Sequence, residues 1–242
     1  MLSALGSKEI DVIRQVYVSV ISTGDELIDL DEELTWSKKR NSNGYALEAQ
    51  VRQVGAKPVQ LGIVPDNSQR IKEAILNALV LSDVVILSGG VSMGDYDLVG
   101  KVLEDIGAEV QFTKVAIKPG KPITFALHNT KPIFGLPGNP VSAIICFEIF
   151  VRPALLKMMG HKDIYRTVVK AELMQDFRKK PGRKFFLRVR IERKDNHYQA
   201  FPTGPQGSGI LKFLVLANAL VVVPEEVTEL KQGIEVEAYL LD

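Results

Sequence analysis

Residues 84–97 read VVILSGGVSMGDYD, an apolar run that leads into glycines and two aspartates, and a helical pattern begins at Leu98. A buried strand that opens through glycines into a helix is how α/β proteins present backbone N–H groups to an anion. Carboxylates repel phosphate, so Asp95 and Asp97 suit such a turn where a divalent cation bridges protein and phosphate. The turn therefore predicts a metal-assisted phosphate or nucleotide site, with a tight structural turn as the alternative.

The same strand-to-helix unit repeats on the N-terminal side of this turn. Apolar, β-branched runs predict strands at residues 16–22, 58–64 and 84–87. Helices are predicted at residues 44–54, from a cap at Asp66 or Asn67 onwards, and from Leu98 to about Gly107. Short, fully apolar strands that alternate with helices predict a parallel sheet covered on both faces.

Further strands and a long helix complete this α/β region. The strands are predicted at one side of the sheet, at residues 110–117, 122–127 and 132–136. The helix is predicted to begin at Asn139-Pro140, with proline in its first turn, and to run to about Met159 with a kink at Pro153.

The pattern becomes short and β-rich after Gly160. Turn signals separate strands predicted at residues 168–173, 184–192, 198–201, 219–223 and 235–240. The predicted architecture is a three-layer α/β domain, a parallel-type sheet with helices on both faces, over residues 1–160. A small all-β domain follows it over residues 161–242.

Composition excludes several classes of protein. The 242 residues carry a net charge of +1, which makes no overall electrostatic case for a nucleic-acid or acidic-membrane partner. The single cysteine, Cys146, excludes an intrachain disulfide and a multi-cysteine zinc site. The chain has no long uninterrupted apolar run and no signal-peptide layout, so we expect a cytoplasmic protein that does not enter a membrane.

Polar segments follow the first two strands. In residues 22–26, Thr23 and the Gly24 backbone suit an anion, while Asp25 or Glu26 suits a cation or general-base chemistry; a capping turn is the alternative. After the second strand, Asp66 alone is typical of a helix N-cap. Because the carboxyl ends of parallel strands meet at one edge of a sheet, these segments and the glycine turn are expected to converge.

A basic segment with proline-fixed loops forms the last candidate. Lys114, Lys118 and Lys121 place three positive charges in a short span, which suits an oxyanion. Gly138 and Asn139 stand before Pro140 and offer backbone donors at a helix start. A solvated lysine edge is the alternative for each lysine taken alone.

Five motifs occur in order along the chain: STGDEL (22–27), NSNG (41–44), SGGVSMGDYD (88–97), KPGKP (118–122) and GLPGNPVS (135–142). Together they closely resemble the molybdopterin molybdenumtransferase family, which includes the MoeA-type proteins and the gephyrin E domain. The resemblance covers essentially the whole chain, and residues 208–224 resemble that family's C-terminal β domain.

The resemblance implies a reaction and a set of site residues. Such enzymes cleave adenylylated molybdopterin in a Mg²⁺-dependent step, release AMP and insert molybdenum from molybdate. It implies that Glu26, Asp66 and Asp97 are catalytic acids that handle metal and water, and that Lys114 and Lys118 bind oxyanions. Pro137 and Pro140 would shape the loop beside the molybdate. The implied molybdopterin- and phosphate-binding residues are Thr23, Gly24, Ser88, Gly89, Gly90, Ser92, Gly94, Lys121, Gly138, Asn139 and Ser142.

The chain departs from the family pattern in two ways. Relatives carry two further domains ahead of STGDEL, which help to form the dimer and complete the active site, whereas 21 residues precede that motif here. We therefore expect a truncated product, a fragment or a split subunit. The expected partners are a second copy of the chain, in a homodimer, or a separate chain that supplies the N-terminal domains. Asn41 stands where many relatives carry an acid. The alternative functions are a molybdopterin adenylyltransferase-like enzyme and a non-catalytic molybdopterin-binding or scaffold protein.

Overall fold

The structure is a computed structural model that describes residues 2–90 and 98–241. A short 3₁₀ turn at Ser3–Leu5 precedes an extended N-terminal segment. The strands of the first part of the chain are Tyr17–Thr23 (β1), Leu27–Ile28 (β2), Lys39–Arg40 (β3), Lys57–Val64 (β4), Val84–Ser88 (β5), Glu109–Lys114 (β6), Ile117–Lys118 (β7), Pro122–His128 (β8) and Lys131–Leu136 (β9). The α-helices between and after them are Ser42–Gln53 (α1), Ser68–Leu81 (α2), Leu98–Asp105 (α3), Pro140–Cys146 (α4) and Arg152–Met158 (α5).

The first sheet has the strand order β4-β1-β5-β9-β8-β6. Strands β4, β1, β5 and β9 are parallel, whereas β8 runs antiparallel to both β9 and β6. The chain moves from β1 outward to β4 and then back across β1 to β5, so the direction of winding reverses between β1 and β5. Ligands in open α/β sheets bind in the crevice outside such a reversal point, at the carboxyl ends of the strands. Here that crevice opens beyond Thr23 and Ser88, where β1 and β5 end side by side.

Helices cover both faces of this sheet, which confirms the predicted three-layer α/β class. On one face, Val20 and Ile86 pack in a cluster with Leu47 of α1 and Phe147. On the other face, neighbouring strand positions pack against residues of α2 and α3. Alternate residues of each central strand point to opposite faces, so a strand buried on both sides is apolar throughout. Cys146 is fully buried in the first cluster, and burial raises the pKa of its thiol to about 12.

The expected strand at residues 110–117 is wrong as a single element. Strand β6 ends at Lys114, the chain bends at Val115 and Ala116, and the following two residues, Ile117–Lys118, form β7. That short strand does not join the first sheet; it pairs in parallel with a strand of the second sheet, with Ile117 opposite Lys184. The apolar pattern continues through the turn, which is why periodicity alone did not reveal the break.

The helix expected from Asn139 to Met159 is also interrupted, but not by a simple kink. Between α4 and α5 the backbone forms a π-helical segment at Phe147–Val151, and Pro153 stands in the first turn of α5. Proline has no N–H to donate to the carbonyl four residues earlier, which disfavours a continuous α-helical hydrogen-bond ladder there.

The remainder of the chain is β-rich with one short helix. Its elements are Val168–Leu173 (β10), Phe177–Arg178 (β11), Lys184–Lys194 (β12), His197–Pro202 (β13), Lys212–Val215 (α6), Ala219–Val223 (β14), Glu229–Leu230 (β15) and Glu235–Leu240 (β16). Strands β11 and β15 pair with each other in a separate two-stranded sheet. The second sheet has the strand order β13-β10-β16-β14-β12-β7, and β12 also pairs with β13, so the sheet closes on itself around its own core. No helix in the described ranges is long and apolar enough to cross a membrane.

Asp83, directly before β5, ties the first sheet to the N-terminal segment. Its carboxylate accepts a bidentate pair of hydrogen bonds from Arg14, at 2.6 and 2.7 Å, and a 2.9 Å bond from the Tyr17 N–H. The hydrogen bond from Arg14, reinforced by the one from Tyr17, lowers the pKa of Asp83. This carboxylate therefore stabilises the folded chain in its ionised form.

Replacing Asp83 with asparagine is expected to lower the free energy of unfolding at pH 7, because the ion pair with Arg14 is lost. The loss should be only about 1 kcal/mol, because solvent screens this pair at the surface. The folded pKa lies below the unfolded value, so the contribution is present above about pH 4 and is lost as pH falls through the folded pKa. Urea unfolding of both proteins between pH 7 and pH 3 measures this. Arg14→Gln should reduce the effect of the Asp83 substitution, and a difference independent of pH would contradict the assignment.

Candidate functional site

A cleft of about 940 Å³ opens at the predicted edge of the first sheet. The ends of β1 and β5 form its base, and the loop between β9 and α4 forms one side. It is lined by Thr23, Gly24, Glu26, Leu27, Lys39, Arg40, Asn41, Ser42, Asn43, Asp66, Ser88, Gly89, Gly90, Leu98, Pro122, Pro137, Gly138, Asn139, Pro140 and Gly209. Segments far apart in sequence thus converge as the parallel-sheet argument requires.

The glycine turn after β5 lies directly against the end of β1. Gly89 and Gly90 have φ values of 101° and 66°, a backbone conformation that glycine adopts without strain. A Cβ atom on Gly89 would lie 2.2 Å from the carbonyl oxygen of Thr23, so there is no room for a side chain. The Gly89 N–H donates to the carbonyl of Leu136, so its role is close packing rather than an amide offered to a ligand. The Thr23 hydroxyl is buried and has no hydrogen-bond partner among the described residues.

Asn43 joins two walls of the cleft. Its Nδ2 donates to the Ser88 hydroxyl at 2.8 Å and to the Gly138 carbonyl at 2.9 Å. Its Oδ1 is buried with no hydrogen-bond partner in the described part of the chain. The sequence reasoning did not select Asn43 as a site residue, although it lies within the NSNG motif. Its contact with Gly138 crosses 95 positions and has no local signal.

Asn41, two residues earlier, caps α1. Its Oδ1 accepts from the Gly44 N–H at 3.0 Å and from the Ser22 hydroxyl at 2.8 Å, and the residue is buried. Asparagine is among the favoured N-cap residues, so the neutral side chain at this position has a structural role.

Carboxylates gather at the cleft just beyond the ends of β1 and β4. Glu26 and Asp66 line the cleft, while Asp25 accepts a 3.1 Å hydrogen bond from the Asp66 N–H. Asn67, not Asp66, caps α2, since its Oδ1 accepts from the Arg70 N–H at 3.0 Å. Burial, together with the negative charges of Asp25 and Glu26, raises the pKa of Asp66. Such a concentration of negative charge is relieved by a cation.

The third predicted acid, Asp97, lies outside the described residues, as do Ser92 and Gly94. In the part of the chain that is described, no three His, Cys, Asp or Glu side chains are arranged to hold one metal ion. The two acids that line the cleft, Glu26 and Asp66, offer the hard oxygen ligands that Mg²⁺ prefers and so fit that ion.

The predicted lysines are not among the residues that line the cleft. Lys114 is the last residue of β6 and is exposed, and the Lys118 Nζ lies 5.6 Å from the centroid of the Phe185 ring. Lys121 stands next to Pro122, which does line the cleft. Ser142 is buried within α4. The roles of these four residues stay predictions.

The basic side chains that do line the cleft are Lys39 and Arg40 of β3, which the sequence reasoning missed. A run of three basic residues, Lys38 to Arg40, precedes the NSNG motif, and that was the available signal. The two-residue pairing of β3 with β2, which brings this run beside Glu26, is too short to show as a periodic pattern.

The second sheet contributes one edge of the cleft through the loop before α6. Gly209 lines the cleft, and the Ser208 carbonyl accepts a 3.3 Å hydrogen bond from the N–H of Val141 in α4. Arg188 of β12 anchors the same loop. It is 1% exposed, and its guanidinium donates at 3.1 Å to the Gln206 Oε1 and to the carbonyls of Pro205 and Gly207.

Comparison with known proteins agrees with this arrangement. Residues 19–157 match the model of a family described as a probable molybdopterin binding domain, and residues 170–241 match the MoeA C-terminal region (domain IV). A molybdopterin molybdenumtransferase of Staphylococcus epidermidis is 35% identical over 242 residues, which cover 100% of this chain and 58% of the relative. One from a Nostoc species is 37% identical over 241 residues, covering 98% of this chain and 55% of the relative.

The crystal structure of a molybdopterin biosynthesis MoeA protein from Pyrococcus horikosii is similar along the whole chain. Its TM-score is 0.86 at 34% identity, and the match covers 100% of this chain and 58% of that one. The chain thus spans a little over half the length of these relatives. The chain belongs to the molybdopterin-binding domain family, in the branch that carries a MoeA C-terminal region.

Proposed function

We propose that the chain acts in molybdenum cofactor biosynthesis as the substrate-binding part of a molybdopterin molybdenumtransferase. The substrates would be adenylylated molybdopterin and molybdate, and AMP would be released. The observation that carries this proposal is the cleft at the winding reversal, with carboxylates on one wall and a glycine turn at its base. We place the boundary between the α/β and all-β domains after residue 160.

Each group of the cleft has a part in this proposal. Glu26 and Asp66 would hold Mg²⁺ together with Asp97, and a bound Mg²⁺ would neutralise phosphate charge and activate water. The buried Thr23 hydroxyl and the Asn43 amide oxygen, both without partners among the described residues, would hydrogen-bond the substrate. Lys114 and Lys118 would bind oxyanions, and Pro137 and Pro140 would shape the loop beside the molybdate.

The proposal includes a partner. The active assembly would be a homodimer, or a separate chain would contribute to it; the match covers 58% and 55% of the two relatives.

Turnover of adenylylated molybdopterin tests the function. The purified chain is incubated with adenylylated molybdopterin, molybdate and MgCl₂, and AMP is measured by chromatography. We expect AMP release that EDTA abolishes. A parallel reaction contains the N-terminal domains of a relative as a separate polypeptide. Absence of AMP in both reactions, with adenylylated molybdopterin bound, would assign the chain to binding without catalysis.

The carboxylates of Glu26 and Asp66 lead to a separate prediction about Mg²⁺ binding. The double variant Glu26→Gln, Asp66→Asn is expected to bind Mg²⁺ at least about tenfold more weakly, because it loses two anionic oxygen ligands. Isothermal titration calorimetry with MgCl₂ measures this, and Asp163→Asn, an exposed acid outside the cleft, is the matched control. Equal Mg²⁺ affinity in the double variant and the wild type would remove these residues from the metal site.

A further inference from the structure

The rim of the cleft beside Glu26 carries three consecutive basic residues, and two of them are already engaged. The Lys38 Nζ donates to the carbonyl of Asp25 at 2.6 Å. The Arg40 Nη1 donates to the carbonyls of Asp29, Leu30 and Glu32 at 2.7 to 2.8 Å, and so orders the loop after β2. These two side chains therefore serve the structure of the rim.

Lys39, between them, differs in this respect. Its side chain is exposed to the cleft and has no hydrogen-bond, ion-pair or ring partner among the described residues. Its ammonium lies more than 4.0 Å from every carboxylate oxygen in that part of the chain. The charge of Lys39 is thus unneutralised by the described part of the protein.

The backbone of Lys39 is nevertheless held firmly. Its N–H donates to the Glu26 carbonyl at 2.7 Å, and the Asn41 N–H donates to the Ile28 carbonyl at 2.9 Å. These bonds extend the parallel pairing in which Leu27 lies opposite Lys39. The lysine therefore projects from a hydrogen-bonded ladder rather than from a loop tip.

The surroundings of Lys39 also point to a ligand. Thr23, 3% exposed, lines the same cleft, and its hydroxyl has no partner in the described ranges. A buried polar group without a partner costs free energy unless a ligand or water satisfies it. Lys39 and Thr23 line the same cleft, and both side chains can donate hydrogen bonds, which suits the oxygens of an anion.

We propose that Lys39 is an anion-binding residue of the cleft and that its ammonium binds the phosphate group of the ligand. The inference rests on the proposed function, because the phosphate is taken to belong to a nucleotide ester. Lys39 places a positive charge beside Glu26 and Asp66. The Lys39 ammonium would bind the phosphate directly, and the two carboxylates would bind it through a metal ion. An AMP moiety is the chemical group that such a contact would recognise.

Calorimetric titration with AMP and with adenosine tests the assignment on the full chain. Lys39→Gln is expected to weaken AMP binding about tenfold, the usual loss for one charge-assisted hydrogen bond. Adenosine, which lacks the phosphate, should bind the variant and the wild type equally. The difference for AMP should shrink as the NaCl concentration rises from 50 to 500 mM, because salt screens an exposed charge.

Two further variants complete the experiment. Lys39→Arg keeps the charge and should retain most of the AMP affinity, whereas Lys162→Gln, an exposed lysine of the segment between the two sheets, should change nothing. Unchanged thermal unfolding of Lys39→Gln shows that the fold is intact. Equal AMP affinity in Lys39→Gln and the wild type, an equal loss for AMP and adenosine, or no AMP binding by the wild type would overturn the inference.

The AMP-release reaction separates this inference from the proposed function. Release by the wild type, with AMP binding unaffected in Lys39→Gln, would leave the function standing and remove Lys39. No release by the wild type, with AMP binding that depends on Lys39, would leave the anion site standing and remove the reaction.

Discussion

Gly89→Ala is expected to lower the free energy of unfolding by about 2–5 kcal/mol and to abolish ligand binding in the cleft. Two costs add at this position. The φ of 101° is strained for any residue with a side chain, at about 1–2 kcal/mol, and forcing atoms into a packed site costs about 1–3 kcal/mol more. The clash is with the backbone carbonyl of Thr23, the last residue of β1, and β1 is paired on both sides, with β4 and β5, which limits how far this carbonyl can move.

Urea unfolding and calorimetric titration with AMP measure the two effects of Gly89→Ala. Gly107→Ala is the matched control, because Gly107 also has a positive φ, 74°, but nothing within 4 Å of the added Cβ. It should show only the conformational cost, about 1–2 kcal/mol, and unchanged AMP binding. A similar loss in the two variants would mean that the contact with β1 contributes nothing.

Arg188→Met is expected to lower the free energy of unfolding by about 3 kcal/mol. The guanidinium is almost fully buried and hydrogen-bonds Gln206 and the carbonyls of Pro205 and Gly207. Burial lowers the pKa of Arg188. The acceptors in these contacts are all neutral, so none of them offsets the cost of burying the charge. Methionine fills the volume but leaves the acceptors unsatisfied, at about 1–3 kcal/mol for each group that stays buried. The loop would then move, and with it Gly209 at the edge of the cleft.

Arg190→Met, two residues along the same strand, is the matched control because Arg190 is exposed and pairs with Glu192. It should leave stability and AMP binding nearly unchanged. Urea unfolding measures stability, and calorimetry measures AMP affinity. A folded Arg188→Met protein with wild-type stability would contradict the role of Arg188 as the anchor of the loop.

The strand-and-helix order of the α/β region was predictable because its signals are local. An apolar run such as residues 84–87 specifies a strand buried on both faces, and the glycines after it specify a sharp turn. The cap of α2 was predictable to within one residue, at Asp66 or Asn67, because a capping side chain reaches a backbone N–H three positions away. The position of Glu26 and Asp66 at the cleft was predictable because the carboxyl ends of parallel strands meet at one edge of a sheet.

The break after Lys114 was not predictable in this way. Ile117 and Lys118 leave one sheet for the other because β12, some 67 positions later, offers them a partner at Lys184. An apolar residue contributes to the same sequence pattern whichever sheet it joins. The pattern therefore does not specify its partner strand, which is decided only when the chain packs.

By itself, the sequence determined the layered α/β class, the all-β region after it, the glycine turn and the acids placed around it. Each of these depends on side chains within a few positions of one another or on the period of a helix or strand. The tertiary structure alone decided that Lys39 lines the cleft, that Asn43 links Ser88 to Gly138, and that Arg188 anchors the loop of Gly209. These depend on groups that approach only after the chain has packed, and the interaction of a buried polar group is set by its neighbours in space, not in sequence.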